Sequence, residues 1–402
     1  MRILYYDWDE FNGEDCRDAM RRLGYHVDEL QGRSPNGGLK NICESEIREW
    51  LVKKDDDGKS FYDCVFSFDY FADLSNICQK YSIVYVSWVF DCPHYSLYSQ
   101  SVNNTVNRIH IFDRGLYKEL IEAGVKTVFH TPLGVNTKRL EELFGYNLSD
   151  NSIDEYQRVD NYIHDVTFLG NLYDNEFNFY DKASISQDLK CYLEEVFEAQ
   201  QKIYGRDIIS DKRVIDDYTM KCLRQSLQFE ETGKFNIDYD KVILDVLRKK
   251  ITVIERRKML EQLGKRFDTV VYTTPDAKSI PGVINLGLAD YNIQMPQIFR
   301  KSKININMTL RCISSGVPLR VMDILAAGGF LITTYQEEIA EYFEDEKDLV
   351  IVNSPEEMLE KTDYYLKNDT DRIKIAISGQ HKVFNNYSYS KIIPEIMKIN
   401  RI

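Results

Sequence analysis

The sequence predicts an α/β protein built from two doubly wound parallel domains, and three observations carry that expectation. Short apolar, β-rich runs alternate with helical stretches from residue 2 to residue 112; the alternation stops in an acidic connector and starts afresh at His164; and 402 residues exceed what one hydrophobic core ordinarily serves.

In the first half, residues 2–7 read as a buried strand, 15–23 as a helix and 25–30 as a second strand, the opening of a parallel layer. Runs at 62–68, 82–88 and 108–112 continue it, with a helical stretch at 72–81. Parallel sheets of this kind place ligand-binding loops at the carboxyl ends of their strands. The first such loop, residues 7–13, lacks a G-x-G-x-x-G fingerprint, so no dinucleotide site is expected there. Residues 141–161 are polar and acidic and read as a connector. Residues 176–265 are long, charged and poor in Gly and Pro, which predicts a helical insertion. Strand signals resume at 269–272, 283–286, 303–307, 330–333 and 349–352. Ser354-Pro355-Glu356-Glu357 is a capping box that opens a helix to about residue 366, and two more helical runs follow.

Composition narrows the function. Apolar residues make up 43%, charged residues 29%, and there are 9 prolines, a globular balance. The formal charge of -13 argues against general nucleic-acid binding, so an anionic ligand must be small and locally held. Eight scattered cysteines with no C-x-x-C pair read as reduced thiols, His110 and His130 as core residues in strand-like runs. A strand begins at once, and no run reaches about 18 apolar residues, so a cytoplasmic protein without a membrane span is expected. H-E-x-x-H, G-x-S-x-G, Walker and EF-hand patterns do not occur.

The chemistry concentrates at residues 314–329. Val317, Val321, Ile324 and Leu325 give a helix one buried stripe, Pro318 suits its first turn, and Gly328-Gly329 ends it. A helix that starts after a strand and a Gly-containing loop aims unpaired N–H groups and a positive dipole end outward, which suits a phosphate. Arg311 and Arg320 are placed to add charge-assisted contacts, and Asp323, a carboxylate in an apolar helix, suits a pair of ribose hydroxyls. The plain alternative is a turn at Gly316 and a solvated Arg320. Asp91 and His94, in the loop Ser87-Trp88-Val89-Phe90-Asp91-Cys92-Pro93-His94-Tyr95 after a strong strand, either orient or deprotonate an acceptor hydroxyl or serve as a turn cap and loop surface.

These residues carry a resemblance. Ser315-Gly316-Val317-Pro318-Leu319-Arg320-Val321-Met322-Asp323, followed by Ala326-Ala327-Gly328-Gly329-Phe330-Leu331-Ile332-Thr333-Thr334, resembles the nucleotide-sugar motif of GT-B glycosyltransferases, specifically the CgeB-like (spore-maturation-protein) family with a glycosyl transferases group 1-like C-terminal domain. That family shows two acidic residues eight apart, the first touching the sugar and the second the ribose; Asp323 fills the second place and Ser315 stands at the first. Asp165-Val166-Thr167-Phe168-Leu169-Gly170-Asn171 is similar to the Gly-loop that opens the donor domain, and Asp113-Arg114-Gly115-Leu116 through Pro132-Leu133-Gly134-Val135-Asn136 is also similar.

The resemblance implies two Rossmann-like domains facing a cleft: an acceptor domain at 1–160, a donor domain at 161–375 with its helical insertion at about 176–265, and helices at 376–402 that cross back to the first domain. It implies a bacterial, metal-independent glycosyltransferase without cofactor, moving a sugar from a UDP-sugar such as UDP-GlcNAc or UDP-Glc to a hydroxyl on a protein or glycan. Asp91, His94 and Arg320 are the expected catalytic residues. Gly170, Asn171, Tyr291, Arg311, Ser315, the loop amides at Gly316, Val317 and Leu319, Arg320 and Asp323 are the expected donor-binding set, Tyr291 being equally readable as core. A nucleotide-sugar epimerase, or a non-catalytic sugar-nucleotide-binding protein, would use the same phosphate site.

Overall fold

The computed structural model describes residues 1–32, 42–145, 161–175, 178–227 and 238–398. Among these residues twelve strands form two six-stranded sheets, parallel throughout: β1 Arg2–Asp7, β2 His26–Gln31, β3 Cys64–Phe68, β4 Val84–Val89, β5 Asn107–Ile111 and β6 Val128–His130 in the first, and β7 His164–Leu169, β8 Thr269–Tyr272, β9 Val283–Asn285, β10 Ser302–Asn307, β11 Leu331–Thr334 and β12 Val350–Val352 in the second. Strands such as β3, β4 and β11 are apolar and buried on both faces, leaving no polar face to turn toward water. The expected doubly wound α/β class is therefore observed.

The two sheets are wound differently. The first runs β2-β1-β3-β4-β5-β6, with its reversal between β1 and β3; the second runs β12-β11-β10-β7-β8-β9, with its reversal between β7 and β10. Registers across the reversals pair Tyr5 with Phe66 and Asn305 with Thr167. At such a point the loops leaving neighbouring strands turn to opposite faces and open a crevice at the carboxyl edge.

The chain divides into two compact units, the first holding residues 1–139 and 386–398 and the second residues 140–145 and the described residues from 161 to 385. The boundaries differ from 160/161 and 375/376. The first falls within the helix Thr137–Phe144, and residue 376 lies inside the helix Asp369–Asn386, which stays with the second unit up to Asn385. Most of the expected connector, residues 146–160, lies outside the described residues.

The last helix, Tyr389–Ile396, is part of the first unit. Its entry pairs with Val135, whose N–H donates to Tyr387 O and whose carbonyl accepts from Tyr389 N–H, and the Tyr389 ring meets the wholly buried Trp88 edge-on at 5.6 Å. Gly134 makes room for this strap, since a Cβ there would fall 2.7 Å from Tyr387 O. The insertion forms helices Phe179–Lys182, Gln187–Gln201, Asp217–Ser226 and Tyr239–Gly264, which pack a core of their own around Phe197, Leu223 and Leu247. Among the described residues no helix is long and apolar enough to cross a membrane.

Candidate functional site

In the second unit the helix after the β10 loop spans Leu319–Ala326 and buries Val321, Met322, Ile324 and Leu325, the stripe its spacing predicts. It stops in a Schellman motif: Gly329 N–H donates to Ile324 O and Gly328 N–H to Leu325 O, with Gly328 in the left-handed region at φ +76. Pro318 stands at the N-cap, so the first-turn amides, Leu319 and Arg320 among them, have no helical carbonyl to donate to.

Three predicted residues come together beside this helix. Tyr291 Oη donates to Asp323 Oδ1 at 3.1 Å, and Arg320 Nη1 lies 3.5 Å from Asp323 Oδ2. The Arg320 guanidinium also reaches Met295 Sδ at 3.3 Å and stands over the Phe299 ring. A mostly buried carboxylate is thus presented at the carboxyl edge with a phenol and a cation around it. Gly170 and Asn171 leave β7 at the same edge. Gly170 N–H extends the sheet to Tyr272 O, and Asn171 Oδ1 accepts from Tyr173 N–H at 2.6 Å. A Cβ on Gly170 would touch only Phe168, at 3.4 Å, so nothing in the protein itself demands glycine there.

Arg311 is placed elsewhere. Its guanidinium is bidentate to Glu255 and donates to Ile203 O, while its backbone N–H donates to Thr252 Oγ1. These contacts lock the β10 loop to the helical insertion and engage the donors expected to face a phosphate.

The cation at the reversal point is one the sequence reading missed. Arg256, on the helix Tyr239–Gly264, is 7% exposed. It donates through Nη1 to Asn171 O, beyond β7, and through Nε and Nη2 to Met308 O, beyond β10. Its plane lies against Phe168 and Tyr173. Among the described residues no carboxylate pairs with it, and Glu255 is already engaged by Arg311. Burial pulls its pKa down, against the Tyr173 phenol and the Glu255 charge, which act to raise it. Its hydrogen bonds go to carbonyls and a phenol, and Glu255, the carboxylate whose charge reaches it, is bonded to Arg311 instead, so the buried cation is only partly compensated. The sequence does carry a signal: Arg256 falls four residues after buried Thr252 and four before buried Leu260, in phase with the buried face.

Ser315 and a cavity complete this edge. Ser315 Oγ donates to Glu338 Oε1 at 2.8 Å, and Glu338, on the helix Glu337–Tyr342, is wholly buried. The acidic group expected at position 315 is therefore present one contact away. Beyond β8 and β9 lies a cavity of about 420 Å³ lined by Leu172, Thr273, Lys278, Ser279, Leu286 and Gly287. Thr273 is buried, and its hydroxyl has no partner among the described residues.

The carboxyl edge of the first unit has the opposite chemistry. Asp91 is exposed after β4, while His94 is anchored inward, its Nε2 2.8 Å from Tyr70 O and 3.1 Å from Tyr70 N. Burial lowers the His94 pKa, favouring the neutral ring. Asp69, also missed from sequence, follows β3 with φ +54 and is 2% exposed. Its Oδ1 accepts from the N–H groups of Phe90 and Asp91, each at 3.1 Å, which brings the carboxyl groups of Asp69 and Asp91 together. Burial and the Asp91 charge hold the Asp69 pKa well above the usual range. No group of three or more His, Cys, Asp or Glu side chains arranged for a metal ion occurs among the described residues.

Comparison with known proteins bears on the fold. Residues 250–398 match the family model described as glycosyl transferase-like. A glycosyltransferase from Rickettsia africae aligns over 100% of this chain and 98% of its own, at 10% identity and TM-score 0.50. HepE of Anabaena, in complex with UDP-glucose, aligns over 98% of each chain at 11% identity and TM-score 0.50. No curated protein matches the chain. The fold is that of the GT-B glycosyltransferases, and its C-terminal part matches a glycosyl transferase-like family.

Proposed function

We propose that the protein is a glycosyltransferase that binds a nucleotide-diphosphate sugar, a UDP-sugar, on its second unit and an acceptor hydroxyl on its first. The observation that carries the reading is Arg256, a buried cation across the β7–β10 reversal whose described hydrogen-bond partners are neutral. A diphosphate supplies the missing charge, with the amides that open the helix Leu319–Ala326 and the Arg320 guanidinium as further donors.

The remaining groups divide the rest of the donor. Asp323 accepts from the ribose hydroxyls, and the cavity beneath Gly287, with its unpartnered Thr273 hydroxyl, takes the base. HepE, which shares the fold, was crystallised with UDP-glucose, which supports this choice of nucleotide. Ser315, its hydroxyl proton held by Glu338, stands at the position assigned to the sugar contact. As the glycosyl–phosphate bond breaks, charge builds on the departing diphosphate, and Arg256 with Arg320 stabilises it there. No metal or cofactor is assigned a part, and the protein or glycan acceptor meets Asp91.

A thermal-shift titration tests the donor half. UDP and UDP-glucose raise the melting temperature, pyrophosphate raises it less and uridine least, since a ligand that binds only the native state stabilises it. Equal shifts from uridine and UDP would remove the diphosphate from the reading. Arg320→Ala is expected to abolish transfer with folding intact; full activity in that variant would sink the assignment.

A further inference from the structure

Around Asp69 and Asp91 lies a set of rings that the donor chemistry does not use. Trp8 stacks on Phe90 with centroids 6.2 Å apart and planes 7° from parallel, and Phe11 meets Phe90 edge-on at 5.2 Å. The platform is fixed from below: Trp8 Nε1–H donates to Phe68 O at 3.0 Å, and Phe68 packs edge-on against Phe90 at 5.4 Å. Phe11 is nonetheless 47% exposed, and Asp91, next to Phe90, is exposed as well.

We infer that this edge of the first unit is a subsite for the sugar ring of a glycan acceptor, in which Trp8, Phe11 and Phe90 pack against the C–H face of the ring and the Asp69–Asp91 carboxyl pair receives the proton of the hydroxyl that is glycosylated. The inference rests on the transferase reading and names its acceptor class. A pyranose offers a ring-sized apolar C–H face bordered by O–H donors; ring faces carry the negative side of the aromatic quadrupole and carboxylates accept from hydroxyls. A serine or threonine side chain brings the hydroxyl without the face.

The carboxyl pair has an internal logic. Two neighbouring carboxyl groups, one of them buried, hold one proton more readily than two charges. Asp69 is the more deeply buried, and its left-handed backbone aims Oδ1 at two amides, so the proton rests on Asp69 and Asp91 carries the charge. The titratable group beside the pair is the neutral His94 ring; the Ser67 and Tyr85 hydroxyls, at 2.7 and 3.5 Å, meet the Asp69 backbone carbonyl rather than its carboxyl. In the transfer, the acceptor oxygen bonds the anomeric carbon, its proton passes to Asp91, and the electron pair of the broken glycosyl–phosphate bond leaves with the diphosphate. Asp91 is the catalytic residue and Asp69 a positioning residue.

The test compares wild type, Phe11→Ala, Asp69→Asn and Asp91→Asn in the full chain. Methyl glucoside, N-acetylglucosamine and lactose are titrated by saturation-transfer NMR, each protein being checked for its UDP thermal shift. Wild type is expected to bind at least one of them in the millimolar range and Phe11→Ala about tenfold more weakly, with an unchanged UDP shift. Asp91→Asn loses transfer, and in Asp69→Asn the alkaline limb of the kcat/KM pH profile disappears, a change that loss of packing alone would not produce. Equal sugar binding by wild type and Phe11→Ala, no binding of any of the three sugars, transfer to a serine peptide but to none of the sugars, or an unaltered pH profile in Asp69→Asn would overturn the inference. The UDP shift separates the failures: if it persists, the acceptor subsite alone is wrong, and if wild type shows none, the donor reading fails.

Discussion

Each sheet reverses once, and at each reversal one side chain ties the two strand ends together, but with opposite chemistry. Between β1 and β3 the bridge is Trp8, neutral, donating to Phe68 O in a neighbourhood that carries Asp69 and Asp91. Between β7 and β10 it is Arg256, a cation donating to Asn171 O and Met308 O near Arg320. The first bridge is a neutral ring among rings and carboxyl groups, the second a buried cation. On the transferase reading the acceptor hydroxyl meets the carboxylate of the first edge and the departing diphosphate meets Arg256 on the second, where the carboxylate of Asp323 is already shared with Arg320 and Tyr291. A parallel sheet provides the crevice, and the residue that bridges it decides what the crevice attracts.

The largest effect that would break this comparison lies on the acidic side. Asp91→Asn is expected to lower kcat by about 10²- to 10⁴-fold while UDP affinity, measured by calorimetry, stays the same. Wild-type turnover in that variant would leave the first edge without a chemical role. Next is the cationic bridge. Arg256→Met is expected to weaken UDP by about 10²-fold and uridine hardly at all, with circular dichroism confirming the fold; equal losses for both ligands would make Arg256 a structural clamp only. A smaller change sharpens the division within the second unit: Asp323→Asn raises the KM for UDP-glucose by about tenfold, leaving pyrophosphate binding as it was.

The sequence conveyed most of the fold because the strands are short, apolar and separated by helical periodicity. β1 and β8 occupy the expected residues, and Ser354 caps its helix as expected, Oγ accepting from Glu357 N–H at 3.1 Å. Such features are local, set by neighbours three or four residues away. The site was only half legible for the same reason. Asp323 and Arg320 meet because one motif holds them on one helix, and Tyr291, which reaches Asp323 across 32 residues, is expected there only through the family resemblance; Arg256 reaches its partners across 85 and 52 residues. Asp69 shares its pair with a residue 22 positions away, and Glu338 meets Ser315 across 23. Arg311 was misjudged because Glu255 looks in sequence like one more charge on a polar helix, and only the fold brings the two into a bidentate pair. Spacing alone does not tell a cation awaiting a ligand from one already neutralised.

The smallest expected effect concerns stability, and it tests whether the proton at the acidic edge is held as described. Asp69 is buried beside Asp91, and its pKa in the folded protein lies well above the ordinary aspartate value of about 3.9. Below that ordinary value the carboxyl is protonated in both folded and unfolded chains and contributes no pH dependence. Between it and the elevated folded value, the folded state keeps a proton that the unfolded state has released, so stability falls as pH rises across that window. An asparagine in its place cannot titrate, and the side-chain amide can donate to Asp91 as the protonated carboxyl does. Asp69→Asn should therefore melt close to wild type at pH 3 to 4 and above it at neutral and higher pH, by a few degrees in a calorimetric series. A constant difference between the two proteins at every pH would mean that Asp69 keeps its proton in neither state more than the other, and the acidic edge would then be a surface of ordinary carboxylates.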